Sequence, residues 1–216
     1  MSLYGFGVNM YRKFFKRFFD LIISLLVLPF FIILVIIISP IIYFEDKGPV
    51  FYNAPRLGKG GKIFKMYKFR SMKVNAPDIR NEDGSTFNSD DDPRLTKIGK
   101  FVRKTSIDET PQILNVIKGD MAIVGPRPDL PEFKEFYEEM RILEVKPGVT
   151  GYNQAYYRNK VPWKERIQHD IYYIDNMSMR LDINILFMTV LAVLKCKDIY
   201  VSSNSKKLNG QFKESM

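Results

Sequence analysis

Cysteine and histidine are almost absent from this chain: 216 residues hold one of each, Cys196 and His169. A lone cysteine excludes an intrachain disulfide and suits a reducing compartment. A lone histidine rules out multi-histidine metal sites and leaves a Ser-His-Asp triad without ground. Zinc-type spacing, RNA-binding aromatic motifs and an Arg-rich recognition helix are missing too, so nucleic acid is set aside as a partner. Gly58-Lys59-Gly60-Gly61 and the stretch Lys146-Pro147-Gly148-Val149-Thr150-Gly151 both lack the G-x-x-x-x-G-K-[ST] order of a P-loop. ATP-dependent chemistry therefore has no support. No internal repeat is found.

Charge is missing from one place in particular. Residues 21–44 carry no charged side chain over 24 positions. A straight helix of that length reaches about 36 Å, enough to cross a bilayer. The run is longer than the apolar core of a secretory signal, and no small-residue cleavage pattern follows it. Basic residues flank it on both sides: Arg12, Lys13, Lys16 and Arg17 before, Lys47, Arg56, Lys59 and others after. A single crossing would put one cluster on the outer face, against the bias of Lys and Arg toward the cytoplasm. Pro29 and Pro40 interrupt the run, and proline favours a kink. These facts predict a segment that enters the membrane, bends and returns to the same side. Pro29 and Pro40 are both candidates for the bend. Ahead of it, Tyr11–Asp20 interleaves Phe14, Phe15, Phe18 and Phe19 with cations, the chemistry of an interfacial helix. The net charge of +9 suits an anionic membrane surface or phosphorylated substrates.

The expected architecture is α+β and mostly α: a re-entrant membrane helix hairpin plus a small cytosolic helical domain with a β-hairpin. Three regions follow: 1–45 interfacial and membrane-embedded, 46–200 catalytic, 201–216 a polar tail. Residues 1–10 are expected to fray. Val50–Asn53 and Lys62–Phe69 predict the hairpin strands. Asn75–Pro93 predicts a loop, whose Asp90-Asp91-Asp92 run reads better as solvated surface than as a cation site. Helices are expected over Leu95–Lys104, from Ser106 through Lys118 with Gly119 as C-cap, and over Leu130–Glu144, Trp163–Asn176 and Leu181–Lys195. Met121–Val124 reads as a short extended piece and Lys146–Gly151 as a rigid loop. The last helix has few polar residues and suits either the bilayer or a homodimer.

Asp108-Glu109 is the most informative polar pair. Two carboxylates at a helix start sit near fixed N–H groups and a positive dipole end. One could act as nucleophile, the other as metal ligand or orienting group. Spacing alone favours a plainer reading, because Ser106-Ile107-Asp108-Glu109 matches the S-x-x-E capping box. In Gly125-Pro126-Arg127-Pro128, two prolines stiffen the backbone around a guanidinium able to clamp phosphate oxygens, and a simple turn fits equally well. Lys68-Phe69-Arg70 offers two cations that suit a lipid phosphate or a plain headgroup contact.

Taken together, KFRSM at 68–72, the block DPRLTKIGKFVRKTSIDETPQILNVIKGDMAIVGPRP at 92–128 and KPGVTGYNQ at 146–154 resemble the bacterial sugar transferases known as monotopic phosphoglycosyl transferases. The resemblance covers nearly all of residues 11–200 and looks like the minimal catalytic form. It implies transfer of a phospho-sugar from a UDP-sugar to polyprenol (undecaprenyl) phosphate with release of UMP. It also places the enzyme in the bacterial inner membrane, with its catalytic domain on the cytoplasmic face, at the first membrane step of glycoconjugate or polysaccharide synthesis. It implies Asp108 as nucleophile through a covalent aspartyl-phosphosugar, with Glu109 helping to hold Mg²⁺. Arg127 is an implied phosphate-binding residue, and Lys68, Arg70 and Arg103 are weaker ones. Asp182 matches a recurrent family aspartate of unassigned role. Thr110 stands where the family commonly has leucine in D-E-L-P. The competing reading is a non-enzymatic membrane adaptor that binds anionic lipid. A lipid pyrophosphate phosphatase lacks its usual histidine machinery here.

Overall fold

The computed structural model describes residues 10–79, 87, 89, 91–158 and 161–195. Residues 1–9, Asp90 and the tail 201–216, each given an expectation above, lie outside the described residues. The first element among the described residues is a π-helical turn, Tyr11–Phe15, which runs directly into α1, Lys16–Asp46. Pro29 and Pro40 both lie inside α1, which is one continuous helix of 31 residues. Two antiparallel arms of a hairpin are not seen.

Burial along α1 follows one stripe: Asp20, Ser24, Phe31, Ile38 and Ile42. Steps of four and seven keep these residues on one face, turned toward the rest of the chain. The other faces carry exposed Leu25, Leu26, Phe30, Ile33, Ile36, Ile37 and Phe44. An apolar surface of that extent needs a lipid or protein partner. Both ends of α1 are tied to the domain. Near its start, Arg17 donates to the Val116 and Ile117 carbonyls at 2.6 and 3.0 Å, and Asp20 accepts the Ile123 amide at 3.0 Å. Near its end, Arg70 donates to Asp46 at 3.1 Å and to the Ile42 carbonyl at 3.3 Å. Glu45 accepts the Lys97 and Ile98 amides at 2.6 and 3.0 Å.

The expected hairpin is present: β1, Phe51–Leu57, pairs antiparallel with β2, Ile63–Phe69, in a register running from Phe51 opposite Phe69 to Leu57 opposite Ile63. β1 runs four residues past the expected end and through Pro55, which an edge strand tolerates because one of its sides needs no donor. Phe64 and Met66 face the core, while Phe69 stacks on Phe51 at 5.3 Å and lies 6.3 Å from the ring of Phe31. The hairpin is thus docked on the membrane helix.

Next come α2, Lys97–Lys104, capped by the Thr96 hydroxyl, and α3, Gln112–Lys118, closed by Gly119 at φ +98°. β3, Ala122–Val124, pairs parallel with β4, Gly148–Thr150. The rigid loop expected at 146–151 therefore contains a strand. A Cβ on Gly148 would collide with the Gly125 backbone, so glycine is what lets the two segments approach. The single helix expected over Leu130–Glu144 is instead three short pieces: a 3₁₀ turn at Pro131–Phe133, α4 at Lys134–Glu139 and a second turn at Ile142–Glu144. Arg141 adopts φ +61° between them, and a left-handed residue ends a helix. The short α5, Tyr152–Tyr156, leads to α6, Trp163–Asp175, and α7, Met179–Leu194, both close to expectation.

Candidate active site

The carboxylate pair lies in a tight turn between α2 and α3. Ser106 takes φ +58°, the chain makes one 3₁₀ turn over Ile107–Glu109, and Pro111 sits at the N-cap position just before α3. The capping box favoured by spacing does not form. Ser106 makes no side-chain cap, because its left-handed backbone replaces the extended one an N-cap uses. Glu109 points elsewhere. Its carboxylate accepts Lys68 Nζ at 2.7 Å and Arg127 Nη2 at 2.8 Å. Two charge-assisted bonds outweigh the single backbone amide a capping box would offer.

Four parts of the chain supply this cluster, with Arg103 coming from α2. Lys68 comes from β2, the carboxylates from the inter-helical turn, and Arg127 from the loop after β3. Asp108 is buried beside Glu109. Burial pushes the Asp108 carboxyl up to about 6, with the Glu109 charge adding and Lys68, Arg103 and Arg127 opposing. Burial acts in the same direction on Glu109, but the charges of Arg127 and Lys68 and their hydrogen bonds hold its carboxyl well below the usual range. Arg103 is braced by Ser71, whose hydroxyl accepts its Nε at 2.9 Å. Arg127 keeps 41% of its side chain exposed, so the outer face of the cluster is open to an anionic ligand. The result is one clamped carboxylate and one less constrained carboxylate, ringed by three cations and containing no histidine.

The family model for bacterial sugar transferases matches residues 11–196. This chain belongs to the bacterial sugar transferase family. It is 41% identical over 186 residues to an uncharacterized sugar transferase, EpsL, of Bacillus subtilis, covering 85% of this chain and 89% of that one. It is 39% identical to the undecaprenyl-phosphate galactose phosphotransferase of Salmonella typhimurium, covering 87% of this chain and 42% of the relative. It is 37% identical to the exopolysaccharide production protein ExoY of Rhizobium meliloti, over 86% and 88% of the two chains. The chain thus spans most of two relatives and less than half of the Salmonella protein.

In this sugar transferase, five of the candidate residues come together: Lys68, Arg103, Asp108, Glu109 and Arg127. Two are placed elsewhere. Arg70 is buried against the end of α1, bonded to Asp46 and the Ile42 carbonyl. Asp182 lies at the start of α7 and accepts Tyr11 Oη and Lys16 Nζ, both at 2.6 Å, and Tyr173 Oη at 2.8 Å. Both sites face the membrane helix. The acidic run after the hairpin is likewise structural where it is described: Asp92 is buried and bonds Arg94 through both carboxylate oxygens.

The pattern reading missed the residues that brace the cluster. Asp129 accepts Arg166 Nη2 at 2.6 Å and Tyr137 Oη at 2.8 Å, while its carbonyl accepts the Leu57 amide at 2.9 Å. This fixes the loop two residues beyond Arg127. Its one sequence signal is an acid directly after Gly125-Pro126-Arg127-Pro128. Asn115 is the other missed residue.

Among the described residues no group of three His, Cys, Asp or Glu converges on a point that could hold a metal ion. Mg²⁺ commonly takes one or two carboxylates and fills its remaining positions with water and substrate phosphate, and Asp108 and Glu109 are the two carboxylates of this cluster.

Proposed function

We propose that this sugar transferase moves a sugar 1-phosphate from a UDP-sugar to undecaprenyl phosphate and releases UMP, with Asp108 as the nucleophile. An Asp108 oxygen attacks the β-phosphorus of the donor. The bond from that phosphorus to the bridging oxygen breaks, UMP leaves, and an aspartyl-phosphosugar remains. A phosphate oxygen of the acceptor then attacks the same phosphorus, expels the Asp108 carboxylate and forms the polyprenyl diphosphosugar. Phosphoryl transfer asks mainly for positioning and charge neutralisation. Arg127, Lys68 and Arg103 supply the charge around a site built without acid–base histidine. Glu109 would hold Mg²⁺, which neutralises the diphosphate when bound. The observation that carries the reading is that Lys68 and Arg127 both bond Glu109, which leaves Asp108 as the carboxylate we assign to react.

Membrane geometry supports the same reading. The ends of α1 are tied to one domain through Arg17 and Asp20 at one end and Glu45 and Asp46 at the other. This favours a helix that lies along one leaflet with its exposed face in lipid, with the domain on the cytoplasmic face of the inner membrane. Ile183, Phe187, Val190 and Leu194 form an exposed stripe on α7, which we assign to the same lipid surface; a second copy of the chain is the other partner it fits.

The test is direct. Protein in nanodiscs is given a panel of UDP-sugars, Mg²⁺ and a short polyprenol phosphate. UMP release is expected with at least one donor, and donor alone should leave a phosphosugar mass on the peptide carrying Asp108. Asp108→Asn should lose turnover by at least about a thousandfold while remaining folded. Retained turnover in that variant would reject the nucleophile, and salt-sensitive liposome binding without any UMP would favour the adaptor.

A further inference from the structure

The cations that clamp Glu109 come from distant parts of the chain, and Asn115 connects both to the turn that carries the pair. Asn115 lies in α3, six residues after Glu109, and is completely buried. Its amide lies along the outer edge of β2. Oδ1 accepts the Tyr67 N–H at 2.9 Å, and Nδ2 donates to the Lys65 carbonyl at 2.8 Å. These are successive outward-pointing groups of the strand, so the side chain occupies the place where a third strand would pair. Lys68 follows Tyr67 directly. The main chain of Asn115 serves the other arm: its carbonyl accepts the amides of Gly119, Asp120 and Met121 at 3.0, 2.9 and 3.2 Å, closing the turn into β3 and the Arg127 loop.

We propose that Asn115 is a positioning residue of the transfer reaction: its side chain fixes β2 against α3 so that Lys68 reaches Glu109. The proposal rests on the function assigned above. Only a primary amide of this length supplies one acceptor and one donor to groups 48 and 50 residues away. Aspartate lacks the donor, glutamine is one methylene too long, and an aliphatic side chain leaves two buried backbone groups unpaired, a costly state. The bond to Tyr67 sits one residue from the cation, so a shift of the strand there moves the Lys68 Cα directly.

A double-mutant cycle in the full chain tests the link. Asn115→Ala is expected to lower kcat/KM for UMP release by about tenfold or more. In a Lys68→Met background the same change should cost about twofold or less, because the residue it positions is gone. Asn115→Asp keeps the acceptor for Tyr67 and carries the same cycle if the alanine variant does not fold. A readout independent of turnover is acylation of Lys68 by an amine-reactive ester, followed by peptide mass spectrometry. Lys68 labelling should rise several-fold in the Asn115 variants while that of exposed Lys134 stays constant. Additive losses across the cycle, or unchanged Lys68 labelling, would overturn the proposal. Wild-type protein that releases no UMP from any donor removes the assigned reaction, and the labelling then decides the positioning claim separately.

Discussion

Asp108 and Glu109 are neighbours in sequence but not in chemistry. Opposed environments can give two carboxylates separate roles, and here the environments differ because Lys68 and Arg127 both bond Glu109. Both cations were legible in the sequence, one in KFRSM and one between two prolines. Their shared target was not, because Glu109 also satisfied a local capping pattern and pattern alone does not rank a backbone amide against two cations. Asn115 was illegible for a related reason: the two strand backbone groups its side chain pairs lie 48 and 50 residues away. Asp170 shows the same limit and permits a measurement. It is buried on α6, its Oδ2 has no hydrogen-bond partner, and burial pushes its carboxyl up to about 7, with Arg166 opposing and Asp129 adding. Between about pH 4 and pH 7 the folded protein keeps a proton that the unfolded chain has lost, so stability falls as pH rises through that window and levels above it. Asp170→Asn removes the ionisation. Thermal unfolding should show the variant more stable than wild type at pH 8, by up to a few kcal/mol, with the difference vanishing near pH 4. A parallel pH dependence in both proteins would show that Asp170 does not carry the shift.

At the scale of elements, strong periodicity was readable and weak pairing was not. The long apolar helix, α6 and α7 follow from spacing and length. The parallel β3–β4 pair has three residues per strand and depends on Gly148 approaching Gly125 across the intervening α4 region, which no local pattern encodes. The break at Arg141 was hidden in an amphipathic run. The docking of α1 on α7 depends on Asp182, a residue whose role the sequence left open. Its carboxylate gathers Tyr11, Lys16 and Tyr173 in a site where Lys16 and Asp182 are 12% and 8% exposed at their side chains. Removing one partner of such a pair strands the other charge. Asp182→Ala should destabilise the protein by about 3–5 kcal/mol in detergent unfolding, and Asp182→Asn by less, since it keeps an acceptor for the hydroxyls. Turnover per folded molecule should stay within about threefold of wild type in Asp182→Asn. A collapse of turnover without loss of stability would move Asp182 from anchoring into the chemistry.

For the whole molecule, the decisive quantity is the distance between the two ends of α1 relative to the bilayer. A straight 31-residue helix is about 46 Å long, and a perpendicular crossing would carry Asp46 a full membrane thickness away from Lys16. The same domain nevertheless holds Arg17 and Asp46, and a domain cannot bond both from one side of the bilayer if the helix spans it upright. Either the helix bends or tilts within one leaflet, or one set of anchors breaks on insertion. Burying the anchors' charges in hydrocarbon is costly, whereas dipping the apolar face of α1 is favourable at roughly 25 cal/mol per Å² of buried surface. The balance favours keeping every anchor and submerging only the outward face. Single cysteines at Ser2 and at Lys59, in a Cys196→Ser background, report on this. In sealed right-side-out vesicles both should resist a membrane-impermeant maleimide, and both should react after permeabilisation or in inverted vesicles. Labelling of one position from each side would establish a true crossing and require the Arg17 or the Arg70 contacts to open in the membrane.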